Sequence, residues 1–83
     1  MVKVKFFAVL KKIIGKDQVE VDLHHQKITL GQLLGQIERD TPKLRDVLKE
    51  GKVLLSINQE MAQEEDWVTD GDEIALLPPF AGG

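Results

Sequence analysis

The alternation that opens the chain limits what it can become. Val2, Val4, Phe6 and Ala8 share one parity, and Lys3, Lys5 and Phe7 share the other. Such a segment is a strand with one face to bury, and it cannot bury that face alone. A second alternating run, Gln18 to Leu23, sets Val19, Val21 and Leu23 against Glu20 and Asp22. Leu10 to Ile14 between them reads as a turn or a single helical turn ended by Gly15, so the two strands form an antiparallel hairpin. Both apolar faces then need a common cover.

Thr29, with Gln32 three places on, matches a capping box. Leu30, Leu33, Leu34 and Ile37 follow at helical spacing and give that helix one apolar face. Pro42 disfavours helical geometry at Thr41 and closes the helix after Asp40. The same proline starts a shorter helical piece running to Glu50, with Leu44, Val47 and Leu48 inward and Gly51 ending it. Val53 to Asn58 is the next strand, too continuously apolar to show a clean parity, and Asn58-Gln59 reads as a turn. Glu60 to Thr69 is mixed, with Met61, Ala62, Trp67 and Val68 scattered among acids. Asp70-Gly71-Asp72 is a strong turn signal. Glu73 to Leu77 is the last strand, with Ile74 and Leu76 on one face and Ala75 and Leu77 on the other. Pro78-Pro79 stops it, because neither residue can donate to a ladder.

The order is strand, strand, helix, strand, minor elements, strand. A right-handed crossover from the second strand lays the helix across one face of a mixed sheet and brings the first and last strands together in its centre. The expected class is α+β, a β-grasp or ubiquitin-like fold with four to five strands and one main helix packed across them. At 83 residues there is room for one core. Residues 1–79 are expected to be a single β-grasp domain and residues 80–83 a flexible C-terminal Gly-Gly tail.

Composition removes several kinds of chemistry. Cysteine is absent, so disulfides and thiol chemistry by this chain's own side chains are excluded. The two histidines, His24 and His25, are adjacent, whereas a zinc site needs convergent ligands, so no metal site is expected. The net charge of −3 divides unevenly: residues 1–52 carry +4, and residues 53–83 carry −7 with no basic group. An acidic final third argues against nucleic acid and suits a basic protein partner. No uncharged run is long enough to cross a membrane and no charged head precedes a long apolar run, so the cytoplasm is the expected location.

Paired prolines stiffen the exit from the sheet, and Gly82-Gly83 removes side-chain bulk from the tip. A thin tip on a rigid base suits insertion into another protein's narrow channel, and its reactive group would be the terminal carboxylate. The same residues also fit a frayed end.

From Val2-Lys3-Val4-Lys5-Phe6-Phe7-Ala8, through Thr29 and Leu33, Gly51-Lys52-Val53-Leu54 and Ser56-Ile57-Asn58-Gln59, to Thr69-Asp70-Gly71-Asp72-Glu73 and Pro78-Pro79-Phe80-Ala81-Gly82-Gly83, the chain resembles the MoaD group of ubiquitin-like sulfur carriers, the small subunits of molybdopterin synthase. The resemblance implies that an E1-like adenylyltransferase activates the Gly83 carboxylate with MgATP, and that sulfur from a persulfide relay displaces AMP to leave a thiocarboxylate. Gly83, with Gly82, would then enter the large synthase subunit and donate sulfur to a cyclic pyranopterin monophosphate. The implied assembly is a heterotetramer of two small and two large subunits, with no permanently bound cofactor. Acid–base residues would belong to the partners, and this chain would be the co-substrate.

Phe7, Met61 and Leu77, together with Pro78, Pro79, Phe80 and Ala81, are the implied partner contacts. For Phe7 the rim of the core remains an alternative. Asp70, Gly71, Asp72 and Glu73 form the implied structural turn. Glu73 and the Glu64-Glu65-Asp66 run are candidates to face basic groups of the activating enzyme. Lys52 reads as a solvated edge residue or a holder of the tail, and Trp67 as partial core or loop cover. Phe80 is bulkier than the group's usual residue, and Ala81 lacks the usual hydroxyl. A carrier for thiazole, cysteine or tRNA thiolation, a ubiquitin-like protein modifier, and a plain β-grasp binding module are the other readings.

Overall fold

The computed structural model describes residues 1–51 and 53–78. In chain order the elements are β1 (Val2–Phe6), α1 (Val9–Ile14), β2 (Gln18–Val21), β3 (Ile28–Thr29), α2 (Leu30–Asp40), α3 (Pro42–Lys49), β4 (Leu54–Ile57), β5 (Glu60–Ala62), β6 (Trp67–Val68) and β7 (Glu73–Leu77). Five strands form a mixed sheet in the order β2-β1-β7-β4-β5, while β3 and β6 pair separately. β1 runs parallel to β7 and antiparallel to β2. β4 is antiparallel to both β7 and β5. This is the β-grasp arrangement that the order of elements requires, with the first and last strands in the middle.

The helix across the sheet starts where the capping box places it. Thr29 Oγ1 accepts the Gln32 N–H at 3.2 Å, and Gln32 Oε1 accepts the Thr29 N–H at 2.9 Å. Leu30, Leu33, Leu34 and Ile37 of α2 then bury against Val2, Val4 and Phe6 of β1 and Ile74 and Leu76 of β7. Each such side chain contributes about 1.5–3 kcal/mol relative to an exposed one. Leu44 from α3 and Leu10 and Ile14 from α1 complete the same cluster.

Local differences from the sequence reading have local causes. β2 ends at Val21, two residues early, because the Leu23 N–H donates to Asp70 instead of continuing a ladder. Leu23 itself is still buried. The connector before α2 contains β3, whose Ile28 faces Val68 and whose Thr29 faces Trp67. A two-residue strand is too short to show alternation. In β6 it is Val68 that turns inward, so Trp67 is 57% exposed and not core, with the Lys27 ammonium 4.7 Å above its ring. Asn58 and Gln59 both take positive φ, at 50° and 70°, and this two-residue turn makes β4 and β5 a hairpin within the stretch read as mixed. Lys52, Pro79, Phe80, Ala81, Gly82 and Gly83 lie outside the described residues.

Candidate functional site

The helices cover one face of the sheet and leave the other open. Strand register fixes which side chains share the open face. Lys5, Ala75, Ser56 and Met61 form one lateral row across β1, β7, β4 and β5. Leu77 and Leu54 stand opposite each other in the next row, toward the end of β7. Phe7 extends β1 by one residue, since its N–H donates to the Leu76 carbonyl at 3.2 Å. Its parity is that of Lys3 and Lys5, which places it on the same open face beside Leu77.

The result is an apolar area where the chain leaves the sheet. Phe7 is 41% exposed and Met61 is 66% exposed. Leu54, Leu77, Ala75 and Pro78 are half-buried. Phe7, Met61, Leu77 and Pro78 were all singled out by the sequence, and the register brings the first three onto one face. Leu54 was not. The signal for it was Ser56, the one polar residue in that apolar run. Register puts Ser56, itself buried, and Leu54 on the open side, and Leu55 and Ile57, half-buried, against the core. Farther along the face, Lys5 Nζ meets Glu73 Oε1 at 2.9 Å. Both side chains are well solvated, so this pair bounds the apolar area and adds little stability.

The opposite end of β7 is polar and tightly tied. Asp70 Oδ2 accepts the His25 N–H at 2.9 Å, and Oδ1 accepts the Leu23 N–H at 3.1 Å. The N-terminal ammonium lies 3.1 Å from Oδ1. The two backbone donors, helped by that ammonium, hold the Asp70 carboxyl at about 2, below its ordinary 3.8. Asp72 Oδ2 accepts the Thr69 N–H at 2.9 Å, and Oδ1 accepts from Asn58 Nδ2 at 3.0 Å. Asn58 Oδ1 in turn accepts the Glu73 N–H at 2.9 Å. Gly71 sits at φ 98°, a backbone state that side chains resist. These carboxylates serve backbone donors, which explains the turn without a ligand. Among the described residues no group of three or more histidine, aspartate or glutamate side chains converges to hold a metal ion. Among those residues, too, no helix is long and apolar enough to cross a membrane.

The described surface thus offers apolar contact, with a fixed polar end behind it, to whatever approaches the end of β7. A profile of the ThiS family matches residues 4–83. The molybdopterin synthase sulfur carrier subunit of Escherichia coli is 34% identical over 83 residues, covering 100% of both chains. The crystal structure of SAMP1 from Haloferax volcanii superposes with a TM-score of 0.84 at 30% identity, covering 99% of this chain and 98% of that one. In a protein–protein complex of subunits 1 and 2 of the molybdopterin-converting factor from Helicobacter pylori, the matching chain gives a TM-score of 0.63 at 26% identity, covering 99% and 97%. The family match runs through the sheet, the helix and the Gly-Gly residues alike, and the chain belongs to the ThiS family.

Proposed function

We propose that this chain is the sulfur carrier of a molybdopterin synthase. The observation that carries this reading is the match, along the whole length of both chains, to a relative named as that subunit. The apolar area around Phe7, Leu54, Leu77 and Met61, placed where β7 gives way to the last residues, supports it. Gly83 bears the working carboxylate. An E1-like enzyme uses MgATP to convert it to an acyl-adenylate, releasing pyrophosphate. The terminal sulfur of a partner's persulfide then attacks the acyl-adenylate and expels AMP, and a second thiol of that sulfur-donating partner cleaves the resulting acyl disulfide, becoming a disulfide itself and releasing the Gly83 thiocarboxylate. Gly82 keeps the tip thin enough for a channel. In the large synthase subunit the thiocarboxylate sulfur attacks the cyclic pyranopterin monophosphate, and water then cleaves the acyl–sulfur bond, leaving the sulfur on the pterin and a carboxylate on Gly83.

The partner side of the reading assigns Phe7, Met61, Leu77, Pro78, Pro79, Phe80 and Ala81 to the contact with the large subunit and the activating enzyme. Leu54 joins them through its place opposite Leu77. A heterotetramer of two small and two large subunits, in the cytoplasm, goes with this reading. Acid–base catalysis belongs to the partners, and the chain is the co-substrate.

The likeness to SAMP1, a small archaeal modifier protein, favours a second reading in which Gly83 is joined to lysines of other proteins. Mass spectrometry of the protein from its native cell separates the two. The carrier gains the mass difference of one sulfur replacing one oxygen at Gly83. The modifier appears as an isopeptide on lysine, and that outcome without any thiocarboxylate overturns the carrier reading.

A further inference from the structure

α1 is apolar on two adjacent faces, although only one of them packs inside. Leu10 and Ile14 are buried, while Val9 and Ile13 are 51% and 40% exposed. A helix with one buried stripe ordinarily turns polar residues outward on the remainder. Here Val9, Ile13, Val47 of α3 and Pro78 form the apolar floor of a groove of about 340 Å³ whose α3 side also carries Lys43, Asp46 and Glu50. Single exposed apolar residues mean little, but a lined groove of them marks a contact surface.

The position of the groove decides what fits it. Pro78 directly follows Leu77, and Val9 is two residues after Phe7. The Phe7 N–H to Leu76 carbonyl bond holds the start of that segment against the end of β7. The open-face area and the α1–α3 groove therefore lie on the two sides of the point where the chain leaves the sheet. A protein that draws the last residues into a channel must close around that exit, and one sheet face gives it a wall on one side only.

Resting on the carrier reading above, we infer that the α1–α3 groove is the second half of the docking surface. It receives an apolar segment from the rim of the channel in the protein that takes the tail. The exit then lies within an apolar collar, with Phe7, Leu54 and Leu77 on one side and Val9, Ile13 and Pro78 on the other.

The test is the Val9→Gln/Ile13→Gln double variant of the full chain, titrated against the large synthase subunit by calorimetry. Both positions are exposed, and a thermal melt checks the fold. The expected result is binding weaker by about tenfold or more, with an unchanged melt. Methyl signals of Val9 and Ile13 in the unaltered chain should also shift when the large subunit is added. Binding within about twofold of the unaltered chain, while Leu77→Asp loses it, overturns the collar and leaves the carrier reading standing. Val9 and Ile13 signals that move on Phe80→Ala replacement, but not on adding the large subunit, give the groove to the chain's own tail and also overturn the proposal. So does a dimer of the free chain that the double variant abolishes while binding is unchanged. Sulfur transfer that survives deletion of Gly83 overturns the carrier reading itself.

Discussion

β7 is held differently at its two ends. At Glu73 the strand is gripped by polar chemistry: Asp70 takes two backbone N–H groups from the segment after β2, and Asn58 and Asp72 lock the β4–β5 turn to the strand's first residue. At Leu77 it stands beside Phe7 and Leu54 and runs into Pro78, whose side chains can contact but cannot bond. Hydrogen bonds are directional and fix one geometry, whereas apolar contact tolerates a change of partner. The strand is anchored at one end and presented at the other. The difference teaches that rigidity and a surface free for contact can occupy opposite ends of one strand.

Experiments can break this division or sharpen it. The largest effect is expected beyond the presented end. On the carrier reading, deleting Gly83 withdraws the reacting carboxylate, so sulfur transfer to the large subunit is expected to fall to background while the melting transition stays in place. Neighbouring residues of β7 test the two faces next. Leu76 is fully buried, and Leu76→Ala should cost about 3 kcal/mol in urea unfolding. Leu77→Ala should cost less than about 1 kcal/mol in the same experiment yet weaken binding to the large subunit about tenfold. Equal losses of stability from both would mean that Leu77 belongs to the core and that the presented end does not exist.

The anchored end is tested by pH. Asp70 is depressed in the folded protein, so its contribution is full above the unfolded value of 3.8 and is lost as pH falls toward about 2. Thermal midpoints should drop across that window, and Asp70→Asn should lower the midpoint at neutral pH and flatten this part of the profile. The smallest effect is expected at the joint between β1 and α1. Ala8 has φ 54° and ψ −130°, a strained state for a residue with a Cβ. Ala8→Gly should raise stability by about 1 kcal/mol, measured by denaturant titration.

Much of this was legible from residues alone. The alternation in Val2–Phe6 and Glu73–Leu77 fixed both faces of the two central strands, and Thr29 with Gln32 located the start of α2. Other features depended on contacts that no local pattern encodes. β3 and β6 exist because Ile28 and Val68 meet across the chain, and each strand alone is two residues long. Asp70 reads locally as a turn residue, but its main partners, Leu23 and His25, lie far back in the sequence. Leu54 was obscured because its neighbours are also apolar, although Ser56 held the parity. The second apolar face of α1 was hidden for a similar reason: in a six-residue helix with Val9, Leu10, Ile13 and Ile14, composition does not say which pair turns inward.

The parallel pairing of β1 with β7 has a consequence for how the protein is made. Val4 cannot find Ile74 until residues 73–77 have been made, some seventy positions later, so the closing of this sheet waits on β7. A nascent chain that stops short of β7 lacks its middle strand. Without it β1 and β4 have no common neighbour, so the two halves of the sheet cannot join.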